Sequence, residues 1–282
     1  MISLPYNKLR HFRWQNFSKL LKSFLQIIFV TVLFALLLKT FVIEAIYIPS
    51  SSMESTLLRG DFVMVNKLIY GSEFRRSIFS SASSYPISFK LQDIQRGDVI
   101  VFKLPENISE SISLEEAYFV KRCVAVAGDT VFVRDGKAWI NNKKLEAKAH
   151  QQILQSNISS LKRGTGYDPN EEYGPVIVPR CGDSITINSN NYTFWEGLIR
   201  NEGHTIEYSS ASEILIDGKS ATKYTIESDY LFVLGDNRSR SYDSRYWGFL
   251  PVENVIGKAT MVYWSIEPES GIRWSRLGKF VQ

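Results

Sequence analysis

From Phe24 to Ile43 the chain runs for about 20 residues with only Gln26, Thr31, Lys39 and Thr40 breaking its apolar character. As a helix rising about 1.5 Å per residue, such a stretch is about 30 Å long, the thickness of a bilayer's hydrocarbon core. Lys39 stands near one end, where its stem can carry the ammonium to the interface. A soluble core helix would need a polar face that this stretch lacks. A cleaved leader would end in alternating small residues, whereas the exit reads Ile43-Glu44-Ala45-Ile46-Tyr47. The expectation is an uncleaved single-pass anchor over 23–44. Lys8, Arg10, Arg13, Lys19 and Lys22 precede it, with no acidic residue before Glu44. The positive-inside rule therefore puts the arm 1–22 in the cytoplasm and everything after the anchor outside.

The charge follows from this arm. Five of the 33 basic residues lie in it, leaving 28 against 29 acidic residues, so the net +4 reports topology and not a nucleic-acid surface. Hydrophobic residues make up 44% and aromatics 13%, enough for a core and too many for a disordered chain. Two cysteines and three histidines exclude a disulfide framework and multi-Cys zinc sites, and neither a cofactor nor a metal is implied. The sequence supplies no distance between Cys123 and Cys181; a free, buried Cys123 is expected.

Beyond the anchor the pattern is that of strands. Gly-Asp pairs at 60–61, 97–98, 128–129 and 182–183 precede the runs Phe62–Val65, Val99–Phe102, Thr130–Val133 and Ser184–Ile187. Glycine supplies the turn conformation, aspartate caps it, and β-branched residues extend the chain. Asp135-Gly136 and Asp217-Gly218 read as two-residue hairpins. The predicted fold is mainly β: antiparallel, barrel-like sheets over 45–135 and 229–282, with a β-rich inserted subdomain over 136–228.

The chemistry has to come from an unusual set of groups. There is no His-Glu-x-x-His, Cys-x-x-Cys, phosphate loop or dinucleotide fingerprint. His150 and His204 sit in the polar insertion, where a solvated surface role is expected, so a hydrolase here would use a base other than histidine. Ile48-Pro-Ser-Ser-Ser-Met-Glu-Ser-Thr-Leu57 by itself reads as a linker or as a nucleophile loop. In Tyr118–Ala127, strand alternation puts Lys121 on one face with Phe119, Cys123 and Ala125. Such a lysine either snorkels to water or is desolvated into a neutral amine able to deprotonate a serine. Leu234–Pro251, dense in glycine and charge, is either a surface turn or a hydrogen-bonded loop that organises a site.

In order, Pro49–Leu57, Gly60–Lys67, Arg96–Phe102, Lys121–Asp129 and Gly235–Phe249 resemble the sequence boxes of the bacterial type I signal peptidases, the Ser/Lys membrane proteases. The resemblance implies removal of signal peptides from exported preproteins after a small-x-small motif, through an acyl-enzyme. It implies Ser52 as nucleophile and Lys121 as general base, with Ser50 and the Ser52 N–H forming the oxyanion hole. Ser241 and Asp243 match positions that hold the lysine amine and support the site, and Arg245 matches a partner of that aspartate. Ile48, Leu57, Val63, Val101 and Val120 are the expected apolar pocket residues. The expected setting is a bacterial inner membrane, with the lipid bilayer and preproteins as partners and a monomer close to the secretion translocon. Met53, Trp264 and Trp274 with Arg273 and Arg276 are expected to rest on lipid headgroups. Ser55 departs from the family, which has proline there, as do Phe119, Cys123 and Arg240. Two rivals stand beside this reading: a Ser/Lys protease that cleaves itself or one dedicated partner, and an inert membrane-anchored β-domain that binds exported chains.

Overall fold

The computed structural model describes residues 6–71, 90–105, 108, 118–134, 137–145, 172–208, 213–267, 269 and 271–282. His150 and the serine-rich stretch 80–84 lie outside them. Two compact units result, 1–43 and 44–282. The first holds one helix, α1 (Tyr6–Phe41), which carries the basic residues from Lys8 to Lys22 and the apolar run as far as Phe41. Its segment Lys19–Lys39 has a mean hydropathy of 2.3 with none of it buried, and among the described residues it is the one helix long and apolar enough to cross a membrane. From Leu20 to Leu37 every leucine and phenylalanine is exposed, which is the solvent problem a bilayer solves.

The second unit is built from strands. In chain order they are β1 (Ile43–Tyr47), β2 (Asp61–Asn66), β3 (Val99–Lys103), β4 (Tyr118–Val126), β5 (Thr130–Arg134), β6 (Lys137–Ile140), β7 (Lys143–Lys144), β8 (Tyr173–Ile177) and β9 (Ser184–Thr186). Helix α2 (Tyr192–Asn201) precedes β10 (Ile206–Tyr208), β11 (Ile214–Ile216), β12 (Lys219–Ser220), β13 (Lys223–Thr225) and β14 (Tyr230–Leu234). A short helix, α3 (Ser244–Trp247), leads to β15 (Leu250–Pro251), β16 (Val255–Glu267), β17 (Gly271–Ile272) and β18 (Lys279–Phe280).

The large sheet runs β1-β2-β16-β3-β4-β14-β15, with β17 and β18 also paired to β16. β16 serves β3 with its first residues and β2 with the rest, and its register shifts at 255/257, 259/261 and 262/264. Each extra residue adds local bend and twist, which is how an antiparallel sheet curls toward a barrel. β5 pairs with β6 and β8 in a separate four-stranded sheet, so the change of sheet falls at Gly128-Asp129.

The Gly-Asp pairs lead β2, β3, β5 and β9. Gly60, Gly97, Gly128 and Gly182 all have φ between 86° and 95°, a conformation that a β-carbon disfavours. At each of the first three turns the aspartate N–H donates to the carbonyl three residues back, and that residue's N–H returns a bond to the aspartate carboxylate. The same carboxylates then anchor cations: Asp61 holds Arg276, Asp98 holds Lys258 and Asp129 holds Arg96. Asp61 is fully buried, and removing one partner of a buried pair costs about 3–5 kcal/mol. These turns are therefore fixed posts. The Asp217-Gly218 hairpin joins β11 to β12 with φ of 50° and 73°.

The core has three parts. One lies under β2, β3 and β16 and includes Ile48, Met53, Leu57, Val63, Val101 and Val120. A second packs Ile100, Phe102, Cys123 and Val233 with Tyr70 and Leu250. The third joins Val124, Ala125, Phe232 and Leu234 of the large sheet to Val131 of β5 and to Ile199, Ile206 and Ile226. β4 does not alternate throughout. Phe232 pairs with Ala125 but Val233 with Cys123, so Val124 is an extra residue. The bulge turns Ala125 to the opposite cluster from Cys123, against the alternation expected for the whole strand. Phe119 and Cys123 do share a cluster, and Lys121 pairs with Ile100 of that cluster.

Candidate active site

Three segments separated in sequence meet at Ser52. The loop after β1 carries Ser50 and Ser52; β4 supplies Lys121; the connection from β14 to β15 supplies Ser241, Asp243 and Arg245. The Ser52 loop is closed at its base, where Ile48 N–H donates to Asp61 O and Gly60 N–H to Ile48 O, both at 2.9 Å. Ile48 before Ser52 and Met53 and Leu57 after it are buried, so apolar burial pins the loop on both sides of the serine. Met53 thus belongs to the core and does not face lipid: at 1% exposure it has no free surface to offer.

Lys121 Nζ donates to Ser52 Oγ at 2.9 Å and to Val120 O at 3.1 Å. Both side chains are buried, at 4% and 7% exposure. Burial, more than any neighbour, pushes the lysine down to about 8, while Asp243 and Asp236 pull it up and Arg245 opposes them. A minor fraction of this amine, about a tenth at pH 7, is therefore neutral, far more than for an ordinary lysine, and its lone pair can take a proton. Ser50 Oγ lies 3.2 Å from Ser52 Oγ. Among the described residues the Ser52 N–H has no acceptor, which leaves it free to donate.

The loop from Gly235 to Gly248 is tied from within. Asp243 Oδ2 accepts from Gly235 N–H at 3.0 Å, and Arg245 Nε donates to Asp243 Oδ1 at 2.8 Å. Arg245 also donates to Arg238 O at 2.7 Å. Burial opposes the charge on Asp243, but Arg245 and the Gly235 N–H outweigh it and hold the carboxyl below the usual range. With Asp243 and Arg245 at 0% and 1% exposure, the loop is an internal scaffold and not a surface turn. Asn237 N–H donates to Ser52 O at 3.0 Å, joining this scaffold to the serine loop.

The structure does not place Ser241 Oγ on the lysine amine. Ser241 is buried against Gly235, where its hydroxyl favours the charged form of Asp243, while Lys121 Nζ bonds Ser52 Oγ and Val120 O instead. Of the apolar candidates, Leu57, Val63 and Val101 are fully buried and form the floor of their cluster, while Ile48 and Val120 keep 3% and 8% exposure. His204 is at the surface, partly exposed, with its ring nitrogens meeting Asp217 at 2.6 Å and Glu227 at 3.1 Å. Cys123 and Cys181 are both free, the first buried.

The sequence reading gave no role to Arg122, Thr56 and Asp236. Arg122 bonds both Asp236 oxygens at 2.8 and 2.7 Å and Thr56 Oγ1 at 2.9 Å, and Thr56 Oγ1 donates to Asp236 at 2.6 Å. This network knits β4, the serine loop and the Gly235 loop directly beside the Lys121–Ser52 pair. The available signal was adjacency: Arg122 follows Lys121, and Asp236 follows Gly235.

The family model described as signal peptidase, peptidase S26, matches residues 21–264. A signal peptidase I of Aquifex aeolicus is 32% identical, covering 84% of this chain and 82% of its own length. The signal peptidase I of Pseudomonas aeruginosa is 31% identical over 86% of this chain and 71% of its own. A solved signal peptidase I structure from Enterococcus faecalis aligns at 22% identity and a TM-score of 0.28, covering 60% of this chain and 98% of that one.

Proposed function

The chain belongs to the signal peptidase family, peptidase S26, and on that premise we propose that it removes N-terminal signal peptides from exported preproteins with Ser52 as nucleophile and Lys121 as general base. The observation that carries the assignment is the 2.9 Å contact between a buried, depressed lysine and a serine hydroxyl, with histidine absent from the contact. Neutral Lys121 takes the Ser52 Oγ proton as Oγ bonds to the scissile carbonyl carbon. The resulting oxyanion accepts bonds from the Ser50 hydroxyl and the Ser52 N–H. Collapse breaks the C–N bond, and the Lys121 ammonium returns its proton to the departing amine. Neutral Lys121 then takes a proton from water as its oxygen bonds to the ester carbonyl carbon; the bond to Ser52 Oγ breaks, and the Lys121 ammonium returns the proton to Oγ, restoring both groups.

Asp243 and Arg245 support the site through Gly235, and Ser241 lines it. Ile48 and Val120, over a floor of Leu57, Val63 and Val101, suit small side chains flanking the cut. α1 anchors the protein in a membrane; the basic residues of 1–22 favour a cytoplasmic arm, a span over 23–44 and a domain outside the bacterial inner membrane. Residues 45–135 with 229–282 then form the catalytic region, with 136–228 inserted. Nothing in the dyad calls for a second copy, which suits a monomer taking preproteins as the secretion translocon delivers them.

The test is cleavage of a preprotein in detergent by the full chain and by Ser52→Ala and Lys121→Ala. Both variants should lose activity by at least about 10³-fold, in the range seen when members of such catalytic units are removed. Normal cleavage by either would end the assignment. Rejection of all small-x-small preproteins by the wild type would favour a dedicated partner.

A further inference from the structure

The segment 273–282 wraps the loop that carries Ser52. Arg273 Nη1 donates to Arg59 O at 2.9 Å. Arg276 Nε meets the two Asp61 carboxylate oxygens at 2.9 and 3.1 Å, and its Nη2 reaches Asp61 Oδ2 at 2.5 Å and Thr56 O at 3.0 Å. Val281 packs against the cluster that holds Ile48, Met53 and Leu57. Arg122 Nη2 reaches Gln282 O at 3.2 Å. A lipid-facing role for Arg276 is thereby excluded, since it is 8% exposed and its guanidinium is committed inward.

The loop needs such support. Ser55 has φ of 114°, in a region where a β-carbon is strained, and its buried Oγ finds no hydrogen-bond partner among the described residues. A proline, whose φ is locked near −65°, could not adopt this conformation, so the loop cannot be stiffened by the family's usual residue. Strained backbone persists only where its surroundings over-determine it.

We propose that Arg276 is a positioning residue for the Ser52–Lys121 pair: by joining Asp61 at the base of the loop to the Thr56 carbonyl beyond Ser52, it holds the strained turn and so sets the Oγ–Nζ approach. The inference rests on Ser52 and Lys121 being the dyad. Arginine suits the task because one planar fork serves a carboxylate and a carbonyl together, which a single ammonium cannot do.

The experiment compares full-chain Arg276→Lys and the double variant Arg276→Gln/Asp61→Asn with the wild type in preprotein cleavage, below their melting temperatures. The double variant removes both charges, so no carboxylate is left buried alone. Glu202→Ala serves as the control for lost stability alone: Glu202 accepts from Tyr224, Tyr230 and two backbone N–H groups in and beside the insertion. Expected is a fall in kcat of about 10²-fold with KM within about twofold in both Arg276 variants, as a misplacement of about 1 Å produces. Glu202→Ala should lower Tm with kcat per folded molecule unchanged. Unchanged kcat in folded Arg276→Lys, or a raised KM with kcat intact, overturns the proposal. Ser52→Ala in the same assay separates the two readings: if it cleaves normally, the dyad itself falls.

Discussion

Lys121 is where burial becomes chemistry. A lysine with a folded-state value of about 8 against an ordinary 10.5 is most easily deprotonated by the folded protein. On the proposed mechanism the neutral amine is the working form, so kcat/KM should fall about tenfold per pH unit below about 8. The same shift has a stability consequence of fixed sign. Below pH 8 both folded and unfolded lysine are protonated and the full burial penalty is present; from 8 to 10.5 the folded state has already lost its proton, so stability rises with pH across that window. Lys121→Met should therefore be inactive and lose this rise, which denaturant melts at pH 7 and pH 10 would show. A flat activity profile from pH 6 to 9 would remove lysine as the base.

At the scale of elements, the connection between β14 and β15 works because its first glycine has no side chain. A β-carbon on Gly235 would stand 2.1 Å from Ser241 Oγ and 2.6 Å from Ser52 O, so backbone or a buried serine would have to move. Gly235→Ala should shift the serine loop and lower kcat by about 10²-fold, the effect of a misplacement of about 1 Å. Wild-type kcat would mean that the loop can retreat without moving Ser52. The bulge at Val124 belongs to the same scale. Nothing in Phe119–Val126 signals it, since every residue there suits a strand; it arises because β14 meets β4 with one residue fewer. The Gly-Asp turns were readable because both halves of the device, the glycine conformation and the returning carboxylate, are local.

For the whole molecule, the inserted region and the large sheet share one core, through Phe232 and Leu234 on one side and Ile199, Ile206 and Ile226 on the other. Ile199→Ala should cost about 2–5 kcal/mol while leaving kcat per folded molecule unchanged, checked by thermal melts and initial rates. A loss of kcat with stability preserved would make the insertion part of the site. The anchor, the β class and the order of the motifs were legible in the sequence because each rests on local facts: a run of about twenty residues, nearly all apolar, cannot be solvated, and glycine before a β-branched run can only turn and extend. The serine and lysine were legible as members of motifs. That Ser241 makes no hydrogen bond to the lysine amine, that Met53 and Arg276 point inward, and that Thr56, Arg122 and Asp236 form one network were decided only by tertiary structure. These contacts join residues 66 to 220 positions apart, and their formation depends on how a bulged sheet curls. No local preference records that geometry.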